Sequence, residues 1–210
     1  MGAPKLALPK IVVAGSINID LATDLPVLPK PNETLIGGDL RTAVGGKGHN
    51  QAVALARLGC ETHFIGAVGE DDYGAMALAH FKSAGVDSKF VTRRKGKVTG
   101  TALILVARDG QNMIAVSPGA NAAVTPDDIA AAESLIASAD ALVVQLELPL
   151  KTVEAALAIA RRNDVRTILN PAPAIAGAMS LMPLADIVTP NEIELAGLTG
   201  IDDQSDPALH

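Results

Sequence analysis

Aromatic residues are nearly missing from this chain: they make up 2% of its 210 residues, with no tryptophan, one tyrosine and three phenylalanines. Base-stacking platforms need aromatic faces, so single-stranded nucleic acid is a poor partner. Positive charge is in deficit as well. Lys and Arg number 17 against 23 Asp and Glu, for a formal net charge of −6 and a pI ≈ 5.1. No basic footprint for nucleic acid exists. A single cysteine, Cys60, excludes an internal disulfide and fits a reducing cytoplasm, where it reads as a small core residue. Long apolar runs are missing too. Ile11-Val12-Val13-Ala14 falls far short of the ~20 residues a spanning helix needs, so no membrane partner is expected. Pro9 and Lys10 interrupt the N-terminal apolar stretch, unlike a signal peptide.

What is present is aliphatic. Hydrophobic residues reach 49% and mean hydropathy is +0.31, much of it from Ala, Val, Leu and Ile. That composition suits buried parallel strands covered by small-residue helices. The length suits one α/β domain with a sizeable core.

The pattern along the chain supports this class. Lys10–Ala14 is an apolar run bounded by Gly15, as expected of a strand covered on both faces. Residues 25–44 carry Pro26, Pro29, Pro31 and Gly37-Gly38, and read as loop plus edge strands outside the main sheet. Helices are expected over 48–58, with Gly59 as left-handed cap, and over 73–84, ended by Gly85. A strand is expected over 62–68. Arg108-Asp109-Gly110-Gln111 separates two β-rich runs, 101–107 and 112–116, which predicts a hairpin with a type I′ turn. That hairpin and the Pro-rich segment could form one small sheet. From Thr125, an N-cap followed by Pro126, helices (127–138, 151–163, 192–198) alternate with strands (141–146, 166–169, 186–188). Such alternation indicates right-handed βαβ units.

Polar residues stand at the predicted strand ends: Asn18 and Asp20 after the first, Glu147 after 141–146, Asn170 after 166–169, and Asn191, Glu192 and Glu194 after 186–188. A parallel sheet brings such ends to one edge, where ligands bind. Gly45-Gly46-Lys47-Gly48-His49-Asn50 opens a helix whose first N–H groups are unpaired. Carboxylates that accept, an amide that does both and a lysine that donates suit a polyol. Each piece alone has a plainer reading. Asp20 could stabilise a turn, and Glu192 and Glu194 could be a solvated first helical turn. The Gly-rich loop is not a Walker A loop: no Ser or Thr follows Lys47, and Arg41 stands at the first Gly position. The first strand turn lacks G-x-G-x-x-G, which argues against a dinucleotide-dependent dehydrogenase. His49, His63 and His80 lack metal-ligand spacing and read as packed or solvated side chains.

Six stretches, in this order, resemble the ribokinase family of sugar kinases: Gly15-Ser16-Ile17-Asn18-Ile19-Asp20, Gly45-Gly46-Lys47-Gly48-His49-Asn50-Gln51-Ala52, Gly119-Ala120-Asn121, Gln145-Leu146-Glu147, Asn170-Pro171-Ala172-Pro173-Ala174 and Thr189-Pro190-Asn191-Glu192. The resemblance implies a three-layer ribokinase-like α/β fold with a mostly parallel sheet. A small β lid would lie within residues 21–44 and 99–117. It implies ATP-dependent phosphorylation of the 5-hydroxyl of D-ribose, with Mg2+ and a monovalent cation such as K+, in a cytoplasmic homodimer formed through the lid. Asn18, Asp20, Gly46, Lys47, Gly48, Asn50 and Glu147 would bind the sugar. Asn191 would approach the ATP phosphates, and Glu194 would act on the magnesium through water.

Two departures accompany the resemblance. His49 stands where the family usually has a small residue. The Gly-Ala-Gly-Asp motif expected of the family, whose Asp is the general base, is not found: Gly69-Glu70-Asp71-Asp72 and Gly200-Ile201-Asp202-Asp203 do not match it. The expectation is therefore the N-terminal portion of such a kinase, incomplete at its C-terminus, with the sugar-binding half present. A non-catalytic sugar-binding or regulatory remnant is the alternative.

Overall fold

Apolar runs and glycine punctuation become strands and turns in the computed structural model, which describes residues 8–200; Ile201, Asp202 and Asp203 lie outside them. In chain order the elements are β1 (Lys10–Ala14), β2 (Asn18–Leu25), β3 (Arg41–Gly45), α1 (Lys47–Arg57), β4 (Glu61–Gly69), α2 (Asp72–Ala84), β5 (Asp87–Arg94), β6 (Gly100–Ala107) and β7 (Asn112–Ser117). They continue as α3 (Pro126–Ala131), α4 (Glu133–Ala137), β8 (Ala141–Gln145), α5 (Leu150–Arg162), β9 (Arg166–Asn170), β10 (Ile187–Val188) and α6 (Glu192–Thr199). Two 3-10 segments, Gly119–Ala123 and Ala178–Leu184, complete them.

The main sheet has the order β10-β9-β8-β1-β4-β5, and every pairing in it is parallel. Successive side chains of a strand face opposite sides, so Val12 and Val13 of β1 enter different cores. Val12 packs with Ile65, Ile136, Leu142 and Leu157 under α4 and α5. Val13 packs with Ala52, Phe64, Ala77 and Phe81 under α1 and α2. Full burial of each valine stabilises the fold by about 1.5–3 kcal/mol. The result is a three-layer mixed α/β fold with a second, smaller sheet.

That smaller sheet has the order β3-β2-β6-β7. β2 pairs parallel with β6 and antiparallel with β3, and β6 pairs antiparallel with β7. Asn18 and Asp20 lie within β2 itself, in this sheet, rather than at the end of the first strand. Only Gly15-Ser16-Ile17 separates the two sheets here, too short a span to show as a boundary in hydrophobicity.

Two local expectations change, and one strand is added. The hairpin turn has positive φ at Gly110 but not at Asp109. Gly110 N donates to Ala107 O at 3.0 Å and Ala107 N to Gln111 O at 2.8 Å. This is a three-residue loop closed by a left-handed glycine, not a type I′ turn. The helix expected over 127–138 is two short helices, α3 and α4, joined at Ala132 with φ −100 and ψ 9. Its start is as expected: Thr125 and Asp128 form a reciprocal capping box. Residues 87–94 carry no pattern that assigns them, since charges interrupt the run, yet they form edge strand β5 beside β4.

Candidate functional site

The crossing from main sheet to small sheet creates the site. Gly15 and Gly48 touch there: a Cβ on Gly48 would stand 2.6 Å from Ser16 N and 2.7 Å from Gly15 Cα. The start of α1 can therefore lie directly on the crossing segment. Gly46, with φ +93, turns the chain into α1, and a Cβ there would meet Asn18 N at 2.9 Å. His49 N donates to Ser16 O at 2.9 Å, and Gly48 N to Ser16 Oγ at 3.3 Å.

Glu147, just beyond β8, closes the arrangement. Its Oε2 accepts from Lys47 N at 3.0 Å and from Ser16 Oγ. One carboxylate thus ties together the ends of β1, β8 and α1. Asn121, in the 3-10 segment after β7, does the same on the other side. Its Oδ1 accepts from Ile17 N at 2.9 Å, while its Nδ2 donates to Ile17 O at 2.9 Å and Asn18 Oδ1 at 2.8 Å. Asn18 is 3% exposed. With its carbonyl occupied, its amide N–H groups are the part available to a ligand.

Asn18, Asn121 and Glu147 line an open cleft of about 350 Å³, together with Val116, Leu146 and Pro173. Asp20, two residues beyond Asn18 on β2, shares its face. Its register partner across β6 is Ala102, which in turn pairs with Val116 of the cleft wall. Burial, and then the nearby Glu147 charge, raise the Asp20 pKa above the ordinary carboxylate value. The site thus holds two carboxylates whose charges oppose one another, beside amide donors.

The expected residues are brought together unequally. Asn18 and Glu147 line the cleft. Gly46, Lys47 and Gly48 lie outside that lining and reach it through Ser16, Asn18 and Glu147, which their backbone contacts. Asn50 is exposed on the first turn of α1. Asn191 and Glu194 stand apart, at the start of α6, which follows edge strand β10. They form a reciprocal cap: Glu194 N donates to Asn191 Oδ1 at 2.7 Å, and Asn191 N to Glu194 Oε2 at 3.0 Å. Asn170 Nδ2 donates to Thr189 O at 3.0 Å and fixes the loop leading there.

Ser16 and Asn121 hold the site together, and residue types alone did not single them out. Both lie within the motifs quoted above, but their partners are distant in sequence, and no local pattern reports that. A cavity of similar size, about 360 Å³, is lined by Arg161, Asp164, Arg166 and Asp186. It lies at the start of β9, the opposite edge of the sheet from that used by ligands of such folds. Asp71, in the Gly69-Glu70-Asp71-Asp72 stretch, caps α2 through Gly74 N at 2.8 Å and binds Thr99 N at 2.7 Å and Thr99 Oγ1 at 2.6 Å. Its work is structural. Among the described residues no three His, Cys, Asp or Glu side chains gather to hold a metal ion, and no helix is long and apolar enough to cross a membrane.

Comparison with known proteins bears on the family and the fold. The family model described as pfkB family carbohydrate kinase matches residues 8–209. The ribokinase of Haemophilus influenzae is 42% identical over 192 residues, 91% of this chain and 63% of that protein. A Giardia lamblia ribokinase structure superposes with a TM-score of 0.87 at 30% identity, covering 96% of this chain and 63% of the other. An Arabidopsis thaliana ribokinase structure, complexed with ribose and ATP, gives a TM-score of 0.81 at 32% identity over 92% and 64%. The chain thus spans less than two thirds of the length of these relatives.

Proposed function

The chain belongs to the pfkB family of carbohydrate kinases, and from that premise we propose that it provides the sugar-binding half of an ATP-dependent ribose kinase. The reaction moves the γ-phosphoryl group of ATP to the 5-hydroxyl of D-ribose, yielding ribose 5-phosphate and ADP. The observation that carries this reading is the convergence of Asn18 and Glu147 at one cleft, with Asp20 near enough to feel the Glu147 charge, at the sheet edge that ligands use.

Each side chain has a distinct part. The Asp20 and Glu147 carboxylates accept from sugar hydroxyls, and the amides of Asn18 and Asn50 and the Lys47 ammonium donate to them. Gly46 and Gly48 let the backbone approach closely. The small sheet acts as a lid over the sugar; excluding water limits ATP hydrolysis. Positioning and electrostatic stabilisation do most of the work in phosphoryl transfer.

ATP is the second substrate, with its phosphates toward Asn191 at the start of α6, where free N–H groups suit an anion. Glu194 spends one oxygen on the cap, and among the described residues no three His, Cys, Asp or Glu side chains gather to cage a cation. That donor set fits a magnesium ion held mainly by phosphates and water rather than in a protein cage. The ion, when bound, neutralises charge on the transferring phosphate. A K+ ion belongs to the same reading. So do a cytoplasmic setting and a homodimer through the small sheet, whose Leu103, Met113 and Ile114 are at least half exposed.

Calorimetric titration of the chain with ribose tests the proposal. Binding is expected, and Asp20→Ala should abolish it. Unchanged affinity in Asp20→Ala removes the sugar-site assignment.

A further inference from the structure

His49 does not face the cleft. It is 1% exposed, lies between α1 and α2, and stacks on Phe81 with ring centroids 5.0 Å apart. Both its ring nitrogens are engaged. Nε2 lies 2.8 Å from His80 Nδ1 on α2, and Nδ1 lies 3.1 Å from Oδ1 of Asn50. Asn50 Oδ1 can only accept, so His49 Nδ1 carries the proton. A neutral imidazole has one N–H, which leaves His49 Nε2 as an acceptor. The donor to it is therefore His80 Nδ1–H. Burial holds His49 neutral, with its pKa pushed down to about 4. The hydrogen bonds thus run one way: His80 to His49 to Asn50.

We propose that His49, oriented by His80, is a positioning residue that holds the Asn50 carboxamide with its carbonyl occupied and its amino group free for the sugar. This rests on the sugar-site reading above. An exposed asparagine otherwise samples several rotamers, and freezing one on binding costs affinity. A side chain tied beforehand to a buried ring avoids that cost. The tie also selects chemistry. Asn50 offers donors only, complementing carboxylates that only accept, so the site favours ligand groups that both accept and donate, as hydroxyls do. The small residue expected at position 49 offers no ring nitrogens, so the relay is specific to chains with a histidine there.

Two measurements on the 210-residue chain test it. Nitrogen-15 NMR of the histidine rings should show neutral His49 protonated at Nδ1; protonation at Nε2 overturns the direction of the relay, whatever the sugar does. A double-mutant cycle in ribose affinity reads the positioning. His80→Leu should weaken binding about five- to tenfold in the native background, as expected for one lost hydrogen-bond constraint. It should change nothing in an Asn50→Ala background. His80→Asn, which keeps a donor near the Nδ1 position, should restore most of the affinity. Equal losses in both backgrounds indicate a merely structural His80 and overturn the proposal. A loss in Asn50→Ala with none in His80→Leu overturns the positioning role but leaves the sugar site standing. Asn50→Ala binding ribose as tightly as the native chain overturns the sugar role of Asn50 and the positioning role with it.

Discussion

Asn121 reaches Asn18 across 103 residues of sequence, donating from Nδ2 to Oδ1 at 2.8 Å. The same carboxamide pairs with both backbone groups of Ile17. All three residues are buried. The bond therefore joins the segment that crosses between the sheets to the one that follows the small sheet, and it decides which end of Asn18 a ligand meets.

Asn121→Ala leaves Ile17 N and O and Asn18 Oδ1 without these partners. Each buried unsatisfied polar group costs about 1–3 kcal/mol, so with three of them a loss of at least about 3 kcal/mol is expected in urea unfolding. Ribose affinity should fall as well, since Asn18 loses its orientation. A loss under about 1 kcal/mol would show that water or a rearrangement replaces these bonds.

Asp20 titrates above the usual carboxylate value because it is partly buried and faces Glu147. As an acceptor for a sugar hydroxyl it must be ionised. Ribose affinity should therefore be full at neutral pH and decline as pH falls through this raised pKa, before an ordinary aspartate would protonate. Glu147→Gln removes the repelling charge, so the Asp20 pKa should move down. Carbon-13 NMR of the Asp20 carboxyl follows it directly; an unmoved midpoint would mean that the two carboxylates do not interact.

Asp71 is expected to matter for stability, not for ligand. Burial alone would raise its pKa, but hydrogen bonds from the Thr99 side chain and backbone and from Gly74 N outweigh this and hold it low. Its folded pKa lies below its unfolded one, so its contribution is present above the ordinary aspartate pKa and is lost as pH falls through the folded value. Asp71→Ala should cost about 2 kcal/mol at neutral pH, from a lost helix cap and the bonds to Thr99. Ribose affinity measured well below the melting temperature should stay the same.

Much of the fold was legible without coordinates. Val12-Val13 and Val143-Val144 sit in short apolar runs of the kind that favours a doubly covered strand. Gly59 and Gly85 mark helix ends by their positive φ, and Thr125-Pro126-Asp127-Asp128 announces a capped start. What was not legible had a physical cause. β5 is an edge strand with charged residues on its open side, so it lacks an apolar signature. The Asp109-Gly110 turn depends on loop length as well as residue type. The assignment of Asn18 to β2 depends on pairing with Gly45 and Gly100, distant partners that no local window contains.

By itself the sequence determined the α/β class, the family resemblance and the residue types at the site, because periodicity, capping and short motifs are local properties. Tertiary structure alone decided how those residues are used. It turned Asn18 by means of Asn121, set Glu147 against Asp20 so that one charge perturbs the other, and buried His49 against His80 and Phe81 rather than beside a ligand. Hydrogen-bond direction, burial and charge proximity depend on distances between residues far apart in the chain, and only the packed sheets and helices set those distances.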